Sequence, residues 1–409
     1  MTSTHGADQV EFIDGPRPRQ PTRRLSPRLY LVVVAATGAL ALAQFYFLPG
    51  NLDAVQFGYT VVGLSVIQAG LQLSDLGMVN ASLRSDLAAD VRDSLRRNAV
   101  SIAALICVCG AAGCALAAAI GHTSALVFAA ALLCALWLIA DRARASAAVQ
   151  HGDEKAATRH NIVWQNAPKL GSIVGSFGGT AVLALLGALA TSVVASRPRR
   201  IRRPDWASVG RSAHLWVPGL CVALSAFLLT WTETYLLSLF VGVGEAGQYQ
   251  AVVRPLTGIT YLYLPIVALI QAAHNAGAHR RVTRLNGTAL GISTAGAAAI
   301  AVFLGLAGNA IWPDFEFATP VVAAAAIAAV AMCASTLAGM QLLLRGHQGV
   351  AAGNAVLGAV VLVVVSALTL RTMGPAGAAL ASACAWSFVT LCHLVVLFVV
   401  RHRHRRSSA

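Results

Sequence analysis

The chain has 409 residues, of which 57% are hydrophobic and only 11% charged, where soluble domains carry about 25% charged residues. With a mean hydropathy of +0.69 and repeated uncharged stretches, it reads as an all-α polytopic membrane protein. This excludes a secreted enzyme, a cytosolic nucleotide-binding fold and a disordered scaffold. The net charge of +14 would suggest nucleic acid in a soluble chain, but in a membrane chain it is first a question of topology.

Residues 1–28 are polar and rich in Pro and Arg and are expected to form a disordered basic cytoplasmic tail, not a signal peptide. A bilayer core takes roughly 20 apolar residues per helix. On that rule, spans are predicted near 29–48, 54–78, 99–120, 124–141, 161–177, 179–196, 212–238, 249–273, 286–309, 319–344, 350–370 and 375–400. They group into one six-helix bundle at 29–196, a basic linker at 197–211, a second bundle at 212–400 and a basic tail at 401–409.

Charge parity decides the weakest assignment, 161–196. The stretch before it carries Arg142, Arg144, Lys155 and Arg159, and the stretch after it Arg197, Arg199, Arg200, Arg202 and Arg203. Basic loops belong on the cytoplasmic side, so the chain crosses an even number of times between them, with Gly178 and Gly179 at the hairpin point. Two short spans or a re-entrant pair both satisfy this. With twelve spans, every basic residue falls on the cytoplasmic side except Arg371, Lys169 and Arg254. Both termini are then cytoplasmic. The charge is accounted for by topology, and no nucleic-acid partner is needed.

The eight cysteines, Cys107, Cys109, Cys114, Cys134, Cys221, Cys333, Cys384 and Cys392, lie in apolar stretches and read as small buried hydrophobes. No His, Cys or Asp cluster has metal spacing, and no cofactor is expected. Gly242-x-Gly244-x-x-Gly247 matches the dinucleotide fingerprint in letters, but it sits in an outer loop with no preceding strand. There is no Walker A motif. The outer loops are short, and no catalytic residue is assigned.

Charges at membrane depth default to functional hypotheses. Four qualify: Asp75, Lys169, Glu233 and Arg254. Ser65, Gln68, Gln72 and Asp75 share one face of the second span, and Asn161, Gln165, Lys169, Ser172 and Ser176 one face of the fifth. Thr230 and Glu233 share a face of the seventh, and Gln250, Arg254 and Tyr261 line the eighth beside Gly258 and Pro265. Polar stripes in lipid face protein or water, so a hydrated cavity is expected. The plainer alternative is interhelical hydrogen bonding, including a Glu233–Arg254 salt bridge.

Phe57-Gly58-Tyr59-Thr60-Val61-Val62 resembles Gly247-Gln248-Tyr249-Gln250-Ala251-Val252-Val253 six spans later, as in a parallel repeat with the site at the repeat interface. These segments, with Asp75-Leu76-Gly77 followed by Ala81 and Arg84, Glu233, Gly247-x-Tyr249 followed by Arg254, and Gly374-Pro375-Ala376-Gly377-Ala378-Ala379-Leu380-Ala381, resemble the polysaccharide flippases of the multidrug/oligosaccharidyl-lipid/polysaccharide exporter superfamily. The compressed 161–196 hairpin departs from that pattern. The resemblance implies two bundles around a central cavity, alternating access, and a polyprenyl-diphosphate glycan as substrate. It also implies membrane lipid as surroundings and glycosyltransferases or a polymerase of the same pathway as partners.

Lys169, Arg254, Gln68, Gln72, Gln165 and Tyr261 are the candidates for substrate binding, and Glu233 and Asp75 for ion coupling. The competing reading is an ion-coupled small-molecule or multidrug antiporter of the same fold, whose cavity should be acidic. A membrane-embedded glycosyltransferase ranks lower, because the first outer loop offers only Asp53. An inactive membrane scaffold is the fourth reading.

Overall fold

A computed structural model describes residues 27–82, 87–150, 153–196, 203–259, 266, 270, 278–344 and 347–407. Among these residues the chain is helical and contains no strand. Twelve helices reach fifteen residues or more: α1 (Pro27–Asn51), α2 (Ala54–Gln72), α3 (Ala89–Ala119), α4 (Ala125–Gln150), α5 (Glu154–Ser176), α6 (Ala181–Ala195), α7 (Ala213–Phe240), α8 (Val243–Thr257), α9 (His279–Phe303), α10 (Thr319–Leu344), α11 (Gln348–Met373) and α12 (Pro375–Ser407). Eight of them, α2–α4, α7 and α9–α12, are long and apolar enough to cross a membrane. Their outer faces carry exposed Leu116, Leu239, Leu306, Leu368 and Phe398, as lipid contact requires.

Several predicted boundaries move. α3 begins at Ala89 rather than 99, because Asp90, Arg92, Asp93, Arg96 and Arg97 are helix-compatible residues that extend it past the apolar stretch. Arg96 is tied to Asp93 at 2.5 Å within those turns. α4 continues to Gln150, so Arg142 and Arg144 lie on a helix and not in a loop. Asp153 caps the next helix by accepting from the Ala156 amide at 3.0 Å, which starts α5 at Glu154 instead of 161. α8 starts at Val243 rather than 249, while most of 260–277, including Tyr261, lies outside the described residues. All eight cysteines are free, but only Cys107, Cys134 and Cys333 are buried; Cys109 and Cys221 are exposed, because each sits on the outward stripe of its helix.

In lipid, apolar burial does not drive helix association, so small residues and interhelical hydrogen bonds carry it. The 161–196 segment shows this directly. It forms two helices, α5 and α6, folded back on each other through a turn with Gly179 at φ +72°. Gly171 and Gly187 abut backbone to backbone, and Thr191 Oγ1 donates to the Ala167 carbonyl at 2.7 Å. α6 has only 15 residues.

Helices α1–α6 pack among themselves, as do α7–α12, giving two six-helix bundles. They meet along α2. At one end α2 crosses α8, where a methyl group on Gly58 would overlap the Val243 carbonyl and one on Gly247 the Ala54 carbonyl. These are the repeat-related segments, and they touch each other. At the basic end Gly77, with φ +74°, lies against the backbone of Gly219 and Leu220 on α7. Between these two crossings α2 and α7 touch where Ser65 meets Tyr235, and beside that contact a space opens between the bundles.

Candidate functional site

The space between the crossings is a cavity of about 480 Å³, within the usual range for ligand pockets. α1 supplies Gln44, Phe45 and Leu48. α2 supplies Phe57, Val61, Leu64, Ile67 and Gln68, and α5 supplies Trp164, Gln165, Pro168 and Lys169. The second bundle adds Ala226, Phe227, Thr230 and Trp231 from α7, Arg254, Thr257 and Gly258 from the end of α8, and Met332 from α10. Gln68, Gln165, Lys169 and Arg254 thus line one space, each half-buried. Each cation neighbours a helix-interior proline, Pro168 or Pro255. No acidic residue lines the cavity among the described residues.

Arg254 is held by an aromatic face. Its Cζ lies 3.7 Å from the centre of the Trp231 ring, and Trp231 is only 5% exposed. Such stacking fixes the plane of a guanidinium and so sets the direction of its edges.

Glu233 follows Trp231 by two residues, close to the opposite side of α7, and faces the interior of the second bundle. It is 2% exposed. Its Oε1 accepts from the Tyr249 hydroxyl at 3.3 Å, and its Oε2 has no hydrogen-bond partner among the described residues. Gln250, 1% exposed, donates to Thr234 Oγ1, and its Oε1 likewise lacks a partner. Both line a chamber of about 20 Å³, room for one water or one bare ion. Thr230, Arg254, Thr257 and Met332 line both this chamber and the large cavity.

Asp75 lies elsewhere, while the side chain of Gln72 and all of Tyr261 fall outside the described residues. Asp75 is fully buried outside the cavity, bound to Arg142 at 2.8 Å and to the Gly77 amide at 2.9 Å. Gln72 occupies the last turn of α2. Ser172 and Ser176 accept from Gln44 and Asn51 of α1 at 2.8 and 3.0 Å, and Ser65 meets Tyr235 at 2.6 Å. Those members of the stripes bind helices together. Sequence reasoning missed Gln44, Trp164, Trp231 and the Tyr249–Glu233 bond. Gln44, a polar residue inside an apolar span, was the one with a signal. No group of His, Cys, Asp and Glu suited to a metal ion occurs among the described residues.

No family model matches the sequence, and no curated protein sequence matches it. Solved structures do. The lipid II flippase MurJ in an inward closed conformation aligns with TM-score 0.66 and 10% identity, over 90% of this chain and 87% of that one. The MATE multidrug transporter DinF-BH in complex with R6G aligns with TM-score 0.59 and 17% identity, over 94% and 99%. An inward-facing multidrug resistance MATE family transporter of the MOP superfamily aligns with TM-score 0.59 and 14% identity, over 92% and 99%. The chain has the fold of the MOP-superfamily transporters, two helical bundles around a central cavity.

Proposed function

We propose that this protein is a flippase for an anionic lipid-linked oligosaccharide, with a polyprenyl diphosphate as the carrier. It would act in a bacterial cytoplasmic membrane, in cell-surface polysaccharide biosynthesis. The observation that carries this reading is the polarity of the cavity: Lys169 and Arg254 with no acid among the described lining residues. A diphosphate moved through an apolar region costs several kcal/mol without compensation. Arg254 can bind it bidentately and Lys169 as a point charge. Gln68 and Gln165 offer neutral donors, and Trp164, Trp231 and Phe227 offer faces on which sugar rings stack. A cationic drug would meet two like charges in the same space, which favours the flippase over the multidrug alternative.

Glu233 is the ion-coupling candidate within this reading, and Asp75 the weaker one because its charge is already bound. Both termini and the linker at 197–211 are assigned to the cytoplasm. In that assignment the pathway's glycosyltransferases or polymerase would meet the substrate before or after it crosses.

The test is a reconstituted flipping assay with a fluorescent polyprenyl-diphosphate oligosaccharide. Wild type should flip it, and the double variant Lys169→Ala, Arg254→Ala should not. Arg254→Lys should lose more activity than Lys169→Arg. Transport of a cationic dye by wild type, with the diphosphate lipid left in place, would establish the multidrug alternative instead.

A further inference from the structure

The cavity wall supplied by α5 has a gap in its own hydrogen bonding. Trp164, Gln165, Pro168 and Lys169 all line the cavity, and Pro168 lies inside the helix. Proline has no N–H, so the Trp164 carbonyl, four residues earlier, lacks the donor that an unbroken helix gives it. The residues at both ends of this gap line the cavity, so the gap opens on the cavity side of α5. The hydroxyls nearby are engaged elsewhere. Thr191 Oγ1 of α6 donates to the Ala167 carbonyl at 2.7 Å, and Ser172 Oγ donates to the Lys169 carbonyl at 2.9 Å.

The indole beside the gap is fixed. Its Nε1–H donates to Asn161 Oδ1, one turn back along α5, at 2.9 Å. That bond uses the only polar group a tryptophan has, so Trp164 offers the cavity an apolar π face. From Trp164 to Lys169, a helix rise of about 7.5 Å, α5 therefore presents an aromatic face, an open carbonyl, the Gln165 amide and an ammonium.

A carbonyl open to a cavity needs a donor from its ligand. An ionised phosphate has none to give, and neither has a polyprenyl chain. An organic cation suits an aromatic face, but Lys169, the residue after Pro168, opposes it. A sugar ring meets every condition. Its C–H face lies flat on an indole, and its hydroxyls donate to a carbonyl and bond either end of an amide.

We propose, on the flippase reading above, that α5 reads the sugar joined directly to the diphosphate. This ring stacks on Trp164 and donates a hydroxyl to the Trp164 carbonyl, while the phosphate beside it meets Lys169. Pro168 is then a specificity-determining residue, acting through the N–H it lacks. The carrier without its sugar leaves the carbonyl unmatched and is the poorer ligand, so the site selects loaded lipid over spent lipid.

The experiment measures binding of two probes to the full-length protein in nanodiscs: a fluorescent polyprenyl diphosphate, and the same lipid with one glucose on its terminal phosphate. The ratio of the two affinities is the readout, because a change in the shape of α5 or in the reach of Lys169 moves both together. Wild type is expected to prefer the glycosylated lipid at least about 5-fold, the strength of one ordinary hydrogen bond. Pro168→Ala supplies an N–H that pairs with the Trp164 carbonyl and should lower the ratio about 5-fold. Trp164→Leu should lower it as well, and Trp164→Phe, which keeps an aromatic face, should retain most of it. Equal wild-type affinity for the two probes overturns the proposal. So does a wild-type ratio in either Pro168→Ala or Trp164→Leu. An absence of saturable binding of either probe by wild type overturns the flippase reading itself, and the proposal with it.

Discussion

In the first bundle Asp75 receives the Arg142 guanidinium at 2.8 Å and the Gly77 amide at 2.9 Å. Nearby, Asp141 receives both Arg144 at 3.0 Å and His160 at 2.8 Å on a single oxygen. In the second bundle Glu233 receives one phenol at 3.3 Å and keeps an oxygen unmatched. All three acids are almost wholly buried, so burial does not separate them; the supply of cations does. Two of them anchor helices to one another at the basic end, where α2, α4 and α5 converge. The third is held by a weak neutral donor and retains capacity for a ligand. Asp141 Oδ2 is likewise without a hydrogen-bond partner among the described residues, so an unmatched oxygen alone marks no site, and a buried acid in such a bundle is informative when neutral donors rather than cations bind it.

The comparison can be broken most easily at Asp75. Asp75→Asn removes the carboxylate that Arg142 binds, and removing one partner of a buried pair costs about 3–5 kcal/mol. Thermal melting followed by size-exclusion chromatography should show a large loss of folded protein, partly recovered by adding Arg142→Gln. A melting curve like that of wild type would mean that the pair contributes nothing. Next in size is the seam between the bundles. Gly58→Val drives a side chain into the Val243 backbone, and overpacking of this kind costs about 1–3 kcal/mol. The same substitution at Gly113, where an added Cβ meets nothing within 4 Å, should be silent.

Glu233→Gln sharpens the contrast. It keeps the shape and the Tyr249 contact while removing a charge without a counter-ion, so stability should change by no more than about 1 kcal/mol in either direction. If it destabilises as much as Asp75→Asn, the two acids are alike and the distinction drawn here fails. The smallest effect is expected at Ser65→Ala, which deletes the hydrogen bond to Tyr235. Interhelical hydrogen bonds of this kind average about 0.6 kcal/mol in membranes, a shift close to the resolution of a melting curve.

Much of this architecture was legible in the sequence. Hydropathy places the twelve helices, because lipid leaves little choice about what may cross it. Helical spacing also singled out Gln68, Gln165 and Lys169, which face one space, and the resemblance between Gly58 and Gly247 marked the residues at the crossing. What failed has a common cause: a charge reads as loop until its partner is known. Arg142 and Arg144 lie on α4 because they pair with the end of α2 and with Asp141 within α4 itself. Trp164 and Trp231 were invisible for the opposite reason. In an apolar helix a tryptophan looks like any lipid-facing residue, and only tertiary structure shows that these two turn toward a cation and a cavity. Tyr261 and the side chain of Gln72 fall outside the described residues, so their candidacy stands as it was.

The shortness of α6 bears on the surrounding lipid. Fifteen residues rise about 22 Å, against a hydrocarbon thickness of about 30 Å. Leu183, Leu186 and Val194 are exposed along it, the last at 87%, so acyl chains must shorten to meet them. The bilayer beside α5 and α6 is then expected to be dimpled, at a cost of fractions of a kcal/mol per Å of mismatch. A dimple there brings lipid headgroups nearer to the depth of Lys169. Bilayer thickness thus becomes an experimental variable: on the flippase reading proposed above, short-chain phosphatidylcholine vesicles should support faster flipping than long-chain ones.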